Sequence, residues 1–147
     1  VIIGGDANEP GYRERLLREI ADRGLAGRAI LAGNLPPAQV ADWLRAADLF
    51  ALGTAREGCC NAVLEALAVG VPVVTTPVGD NTEFVRPGEN GAIVPVDDAT
   101  AFAAALDAGL ARDWDRPAIA RRLREQVGSW DVVGQRCLEF MQERLAA

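Results

Sequence analysis

Short apolar runs alternate with longer amphipathic stretches along the whole chain. Val1-Ile2-Ile3 reads as a strand running into Gly4-Gly5-Asp6. Tyr12, Leu16, Leu17 and Ile20 recur at helical spacing, and Gly24 sits where a helix stops. Residues 29–32 predict a second strand, closed by Gly33-Asn34. Pro36-Pro37 opens a helix whose inner face is Val40, Trp43, Leu44 and Ala47. Leu49-Phe50-Ala51-Leu52 predicts a third strand, and residues 60–69 a helix that ends at Gly70. Val71-Pro72-Val73-Val74-Thr75 is a fourth strand, with Pro72 near its start, where a missing N–H is tolerated. Ala92-Ile93-Val94 is a fifth, entered through the turn Pro87-Gly88-Glu89-Asn90-Gly91. Thr100 is the expected N-cap of a helix over 101–111; helices over 117–127 and 130–145 follow.

Strands with few polar positions, alternating with helices, predict a parallel sheet covered on both faces. The fold class is therefore α/β, a Rossmann-like doubly wound sheet, over residues 1–147 as one domain. In such sheets ligands sit beyond the C-terminal ends of the strands. Three loops satisfy that rule: Gly4-Gly5-Asp6, Gly33-Asn34-Leu35, and residues 53–61.

Composition narrows the chemistry. The 147 residues are 50% hydrophobic and 24% charged, which argues against disorder. Fifteen basic against 21 acidic side chains, a net charge of −6, disfavour binding to nucleic acid or to an anionic membrane. No apolar run approaches the roughly 18–20 residues a membrane span needs. Histidine is absent, so no Ser-His-Asp triad, Cys-His pair or His-ligated metal can be built from this stretch. Cys59, Cys60 and Cys137 make an odd count that fits a reducing, cytoplasmic setting better than a disulfide framework. The chain opens inside an apolar run and its one methionine is Met141, which predicts a piece of a longer protein cut inside a sheet.

The candidate chemistry concentrates in Thr54-Ala55-Arg56-Glu57-Gly58-Cys59-Cys60-Asn61-Ala62-Val63-Leu64-Glu65-Ala66. This segment leaves a strand and enters a helix. Gly58 lets a ligand approach the backbone. The amides of Cys59, Cys60 and Asn61 are expected to be free, because the first N–H groups of a helix lack internal partners. Such a terminus attracts phosphate. Glu57 and Glu65 beside an anion site make sense if they accept hydrogen bonds from sugar hydroxyls flanking that phosphate, as in a nucleotide sugar. The alternative is that Glu57 caps the helix and Glu65 is solvated. Trp43, Trp114 and Trp130 read as packing residues, and Arg121, Arg122 and Arg124 as a solvated face. Asp97-Asp98 precedes a helix start.

Glu57-Gly58-x-x-Asn61-x-x-x-Glu65-Ala66-Leu67-Ala68-x-Gly70-x-Pro72-Val73-Val74 resembles the signature of the retaining glycosyltransferases of family four, or glycosyltransferase group one. Other segments agree in order and spacing: Arg28-Ala29-Ile30-Leu31-Ala32-Gly33, Ala46-Ala47-Asp48-Leu49-Phe50, Gly79-Asp80-Asn81-Thr82-Glu83, Pro87-Gly88-Glu89-Asn90-Gly91 and Ser129-Trp130. Two places depart from the family pattern: Gly4-Gly5-Asp6 stands where G-D-G is common, and Asp80 replaces a glycine.

The resemblance implies a GT-B architecture of two Rossmann-like domains, of which this chain is similar to most of the C-terminal, donor-binding one. It implies that Glu57 faces the donor sugar and the reaction centre, and that Glu65 binds the ribose hydroxyls. Thr54, Gly58, Cys59, Cys60 and Asn61 would line the donor's phosphate and sugar, and Gly33 and Asn34 its base. The cysteine thiols would not act as nucleophiles. The partner is a nucleoside-diphosphate sugar, with a glycan or lipid-linked acceptor held by an N-terminal domain outside this stretch. No cofactor and no metal are expected, and no turnover by this stretch alone. The rival readings are a non-catalytic nucleotide-sugar-binding module and a different GT-B enzyme such as an epimerase.

Overall fold

The computed structural model describes residues 1–5 and 10–145. Asp6, in the first predicted ligand loop, and the side chain of Trp130 lie outside that description. The chain divides into two compact units, Val1–Trp43 and Leu44–Ala147.

The first unit contains β1 (Ile2–Ile3), α1 (Tyr12–Asp22), β2 (Leu31–Gly33) and most of α2 (Pro37–Ala46). β1 and β2 pair in parallel, Ile2 against Leu31 and Ile3 against Gly33. β2 thus starts two residues later than the hydrophobic run predicts. Gly33 can close the strand because its φ of 70° places it in the left-handed region. Its carbonyl accepts the Gly4 N–H at 2.9 Å.

The second unit contains β3 (Phe50–Leu52), α3 (Asn61–Ala68), β4 (Val73–Thr75), α4 (Asn81–Phe84) and β5 (Gly91–Ile93). The helices α5 (Ala99–Ala111), α6 (Arg116–Val127) and α7 (Trp130–Leu145) complete it. Its three strands form a parallel sheet in the order β3-β4-β5, with Val73 paired to Phe50 on one side and Gly91 on the other. Adjacent residues of a strand point to opposite faces, and Val73 and Val74 are both buried. Both faces of β4 are therefore covered, as a doubly wound sheet requires. α3 packs on β3, β4 and α6, and α5 on β4 and β5. The five predicted strands all form, and every pairing is parallel. They form two ladders, β1-β2 and β3-β4-β5, where the hydrophobic pattern suggested one sheet.

The core of this unit is aliphatic: Val63, Leu67, Val71, Val73, Val74 and Val85 are all 1% exposed or less. Gly91 stands where a Cβ would run into the Val73 backbone, so that central pairing needs glycine. Two details correct the sequence reading. α4 is a single turn, too short to show a helical period, in a stretch read only as a loop. α5 begins at Ala99, and its cap is Asp98 rather than Thr100, with the Asp98 carboxylate accepting the Ala101 N–H at 2.8 Å. A carboxylate is the stronger cap, and it carries the helix start forward by two residues. Asp98→Ala should cost roughly 0.5–2 kcal/mol, a fall of about 2–6 °C in melting temperature. Thr100→Ala should leave it unchanged, and calorimetry on the two variants checks the assignment.

Of the tryptophans, Trp114 is half-buried, donates Nε1–H to the Gly109 carbonyl at 2.7 Å and lies under the Arg112 guanidinium. Trp43 keeps 38% of its surface exposed, so it packs less fully than its helical position predicts. Arg121 and Arg124 are exposed, and Arg122 pairs with Glu89.

Candidate functional site at the edge of the three-stranded sheet

The segment between β3 and α3 leaves the C-terminal end of its strand, where a doubly wound sheet presents ligands. Thr54 begins it with a local turn: its hydroxyl donates to the Arg56 carbonyl at 3.1 Å and faces the Arg56 N–H at 3.4 Å. Glu57, Gly58 and Cys59 follow, all exposed. Cys60 is buried and is the N-cap residue of α3.

Among the described residues, no side chain caps α3. The alternative role for Glu57 as a helix cap is therefore not used, and its carboxylate stands exposed ahead of the helix. Glu65 lies four residues beyond Asn61, on the exposed side of α3, while Val63, Ala66 and Leu67 on the other side are buried. Both carboxylates face solvent from one loop-and-helix unit.

The amides differ from expectation at one position. Asn61 N–H turns back to the Cys59 carbonyl at 3.1 Å, so it is occupied. A tight turn at the helix start causes this, closing over two residues where a regular helical turn closes over four. Among the described residues, the Cys59 and Cys60 amides make no backbone hydrogen bond. The Gly58 carbonyl accepts the Asp80 N–H at 3.1 Å. In a planar trans peptide the C=O and the next N–H point in opposite directions. The Cys59 N–H is thus directed away from Asp80 and remains available to a ligand.

Desolvation, together with the carboxylates of Asp80 and Glu83, raises the Cys59 thiol above its ordinary range. It therefore stays protonated at neutral pH, the opposite of an activated nucleophile. The three cysteines are free thiols, Cys59 and Cys137 exposed and Cys60 buried.

Gly33 and Asn34 belong to the first unit, at the end of β2. There the Asn34 side-chain amide packs against Gly5: a Cβ at Gly5 would lie 2.6 Å from Asn34 Nδ2. Thr54, Glu57, Gly58, Cys59, Cys60, Asn61 and Glu65 all belong to the second unit.

Sequence reasoning missed the groups that hold the loop in place. Thr75 Oγ1 donates to the Leu52 carbonyl at 2.9 Å, and Thr76 Oγ1 donates to the Thr54 carbonyl. Asn81, 1% exposed, donates Nδ2–H to Thr75 Oγ1 at 3.0 Å and to the Thr76 carbonyl at 3.1 Å. The available signal was Thr75-Thr76 at the end of a buried apolar strand, where hydroxyls must find partners.

A cleft of about 480 Å³ opens at the same edge of the sheet, lined by Gly53, Thr76, Pro95, Asp97, Asp98 and Phe102 among others. It contains neither Glu57 nor Glu65, which stand on the open surface. Among the described residues there is no group of three or more His, Cys, Asp or Glu side chains placed to hold a metal, and no helix is long and apolar enough to cross a membrane.

Comparison with known proteins fits this geometry. The chain is 40% identical over 126 residues to the lipopolysaccharide core biosynthesis mannosyltransferase LpsB of Rhizobium meliloti, covering 81% of this chain and 34% of that protein. It thus spans about a third of the length of such curated relatives. The fold matches the C-terminal domain of a glycosyl transferase group 1 family protein, LpcC, from Francisella tularensis, with a TM-score of 0.70. The two are 24% identical, over 82% of this chain and 64% of that one. It also matches Anabaena Alr3699/HepE, solved in complex with UDP, with a TM-score of 0.65 and 24% identity over 85% of this chain and 39% of that one. The parallel α/β arrangement is the Rossmann-like fold of a GT-B C-terminal domain. Residues 1–112 match the family model described as glycosyl transferases group 1, and the chain belongs to that family.

Proposed function

We propose that this chain is the donor-binding part of a retaining glycosyltransferase that moves a sugar from a nucleoside diphosphate to an acceptor hydroxyl. The observation that carries the reading is the exposed Glu57 and Glu65 on either side of an uncapped α3 N-terminus, with the Cys59 and Cys60 amides making no backbone hydrogen bond among the described residues. The diphosphate sits at the Cys59 and Cys60 amides, favoured by the helix dipole. Glu65 accepts the ribose hydroxyls. Thr54, Gly58 and Asn61 border the sugar and phosphate.

The sugar C1–O bond to the diphosphate breaks, and the acceptor oxygen bonds to C1 on the same face. The acceptor proton passes to the leaving diphosphate. Positive charge develops on the ring on the way, and the Glu57 carboxylate stabilises it. Helix amides offset part of the diphosphate charge without a metal. The acceptor is a glycan or lipid-linked acceptor held by a further domain on the cytoplasmic side; the Rhizobium relative is named for lipopolysaccharide core biosynthesis. The Anabaena complex makes UDP the first nucleotide to try.

Glu65→Ala in the full-length protein tests the reading. Hydrogen bonds to a charged group contribute about 1.5–3 kcal/mol, so affinity for the free nucleoside diphosphate should fall about ten- to hundredfold. Calorimetric titration with UDP, GDP and ADP measures it. Unchanged affinity for the nucleotide that binds the parent protein would remove Glu65 from the ribose.

A further inference from the structure

The loop that carries Glu57 is held from the end of β4 and the segment leading into α4. The carbonyls of Leu52, Thr54 and Gly58 are each taken by a donor from the end of β4 or the segment that follows it: Thr75 Oγ1, Thr76 Oγ1 and Asp80 N–H. Glu57 lies between the second and third of these anchors and makes no helix-capping contact of its own. The anchors are themselves rigid. Thr75 and Thr76 are buried, and Asn81 ties them together through Thr75 Oγ1 and the Thr76 carbonyl.

We infer that Thr76 is a positioning residue for Glu57: its buried hydroxyl, fixed by the Asn81 cross-link, sets where the Thr54 end of the loop stands and so where the Glu57 carboxylate meets the donor sugar. This deepens the donor-site reading above and rests on it. The hydroxyl touches no ligand in this scheme. Its effect comes through the Thr54 carbonyl, three residues before Glu57. Glu65 and the Cys59 and Cys60 amides lie beyond the Gly58 anchor, so of the donor contacts only those to the sugar, at Thr54 and Glu57, run through Thr76.

Thr76→Val keeps the side chain's size and removes its hydroxyl. In the full-length protein kcat should fall about tenfold, since displacements on the order of an ångström at a reacting group cost one to two orders of magnitude. The Kd for the nucleoside diphosphate should stay within about twofold. Thr76→Ser should restore kcat to within about twofold of the parent. In a Glu57→Gln background the Thr76 change should add little further loss, because the two act through the same carboxylate. If Thr76→Val does not fold, Thr76→Ala removes the hydroxyl without adding a methyl and decides instead.

A kcat within twofold of the parent in the folded variant overturns the inference. So does a parallel loss of kcat, nucleotide affinity and melting temperature that Ser does not repair, which would make Thr76 structural only. Failure of the underlying reading looks different: there Glu57→Gln itself leaves kcat unchanged. If Glu57→Gln is impaired and Thr76→Val is not, only the positioning role falls.

Discussion

Glu57→Gln in the full-length protein is expected to lower kcat about a hundredfold while nucleoside-diphosphate affinity stays within about twofold. Glutamine keeps the shape of the side chain and much of its hydrogen bonding, and removes only the charge. A preorganised charge aimed at a transition state typically contributes two to three orders of magnitude, roughly 2.7–4 kcal/mol. The loss falls on kcat because the ring carries its positive charge only in the transition state. A structural role predicts another pattern: a lower melting temperature with little kinetic change. α3 begins without a side-chain cap, so Glu57 has no capping contact to lose. Measuring kcat, nucleotide affinity and melting temperature on one preparation separates the two. A lowered melting temperature with intact kcat would leave Glu57 without a catalytic part.

The second large effect is expected at Gly79. Its φ of 52° lies in the left-handed region, and a Cβ there would collide with the Gly58 carbonyl oxygen and lie 2.9 Å from that of Glu57. Backbone atoms cannot yield as a flexible side chain would. Left-handed strain costs about 1–3 kcal/mol, and forced overpacking about 1–3 kcal/mol more. Gly79→Ala should therefore destabilise the protein by roughly 2–6 kcal/mol, a fall on the order of 10 °C in melting temperature. The clash pushes the α4 turn away from the loop and breaks the Asp80 N–H to Gly58 hydrogen bond of 3.1 Å. The Cys59 amide then loses its fixed direction, so nucleotide affinity should fall as well. Thermal unfolding with and without saturating nucleotide reads both effects. A variant as stable as the parent would show that the two loops can separate without cost.

Asp80, a departure from the family pattern, keeps an ordinary backbone conformation. It stands where the family commonly has a second glycine, and its φ of −84° is one that any residue adopts. Only its backbone N–H reaches Gly58, so its side chain stays out of that hydrogen bond. The glycine that the close approach requires is Gly79.

The order of strands and of every helix but α4, the parallel pairing and the stretch that carries Glu57 and Glu65 were legible from residue pattern alone. Apolar runs of three or four residues bounded by Gly, Pro and Asn mark strands, and a period of 3.6 marks helices such as α1 and α2. Both signals are local, so the chain carries them wherever its neighbours fall. Pairing is not local: the pattern of β1 and β2 does not say that they form a ladder of their own. Cap competition also escaped the pattern, since Asp98 and Thr100 are both good caps and only the folded turn chose Asp98. The hold on the site escaped it most. Thr76 and Thr54 are 22 residues apart, as are Asp80 and Gly58, and their bonds exist only because β4 lies in register against β3. Sequence by itself determined which groups are present for chemistry. Tertiary structure decided which amides stay free and what fixes Glu57, because hydrogen bonds between distant backbone segments depend on where the sheet places them.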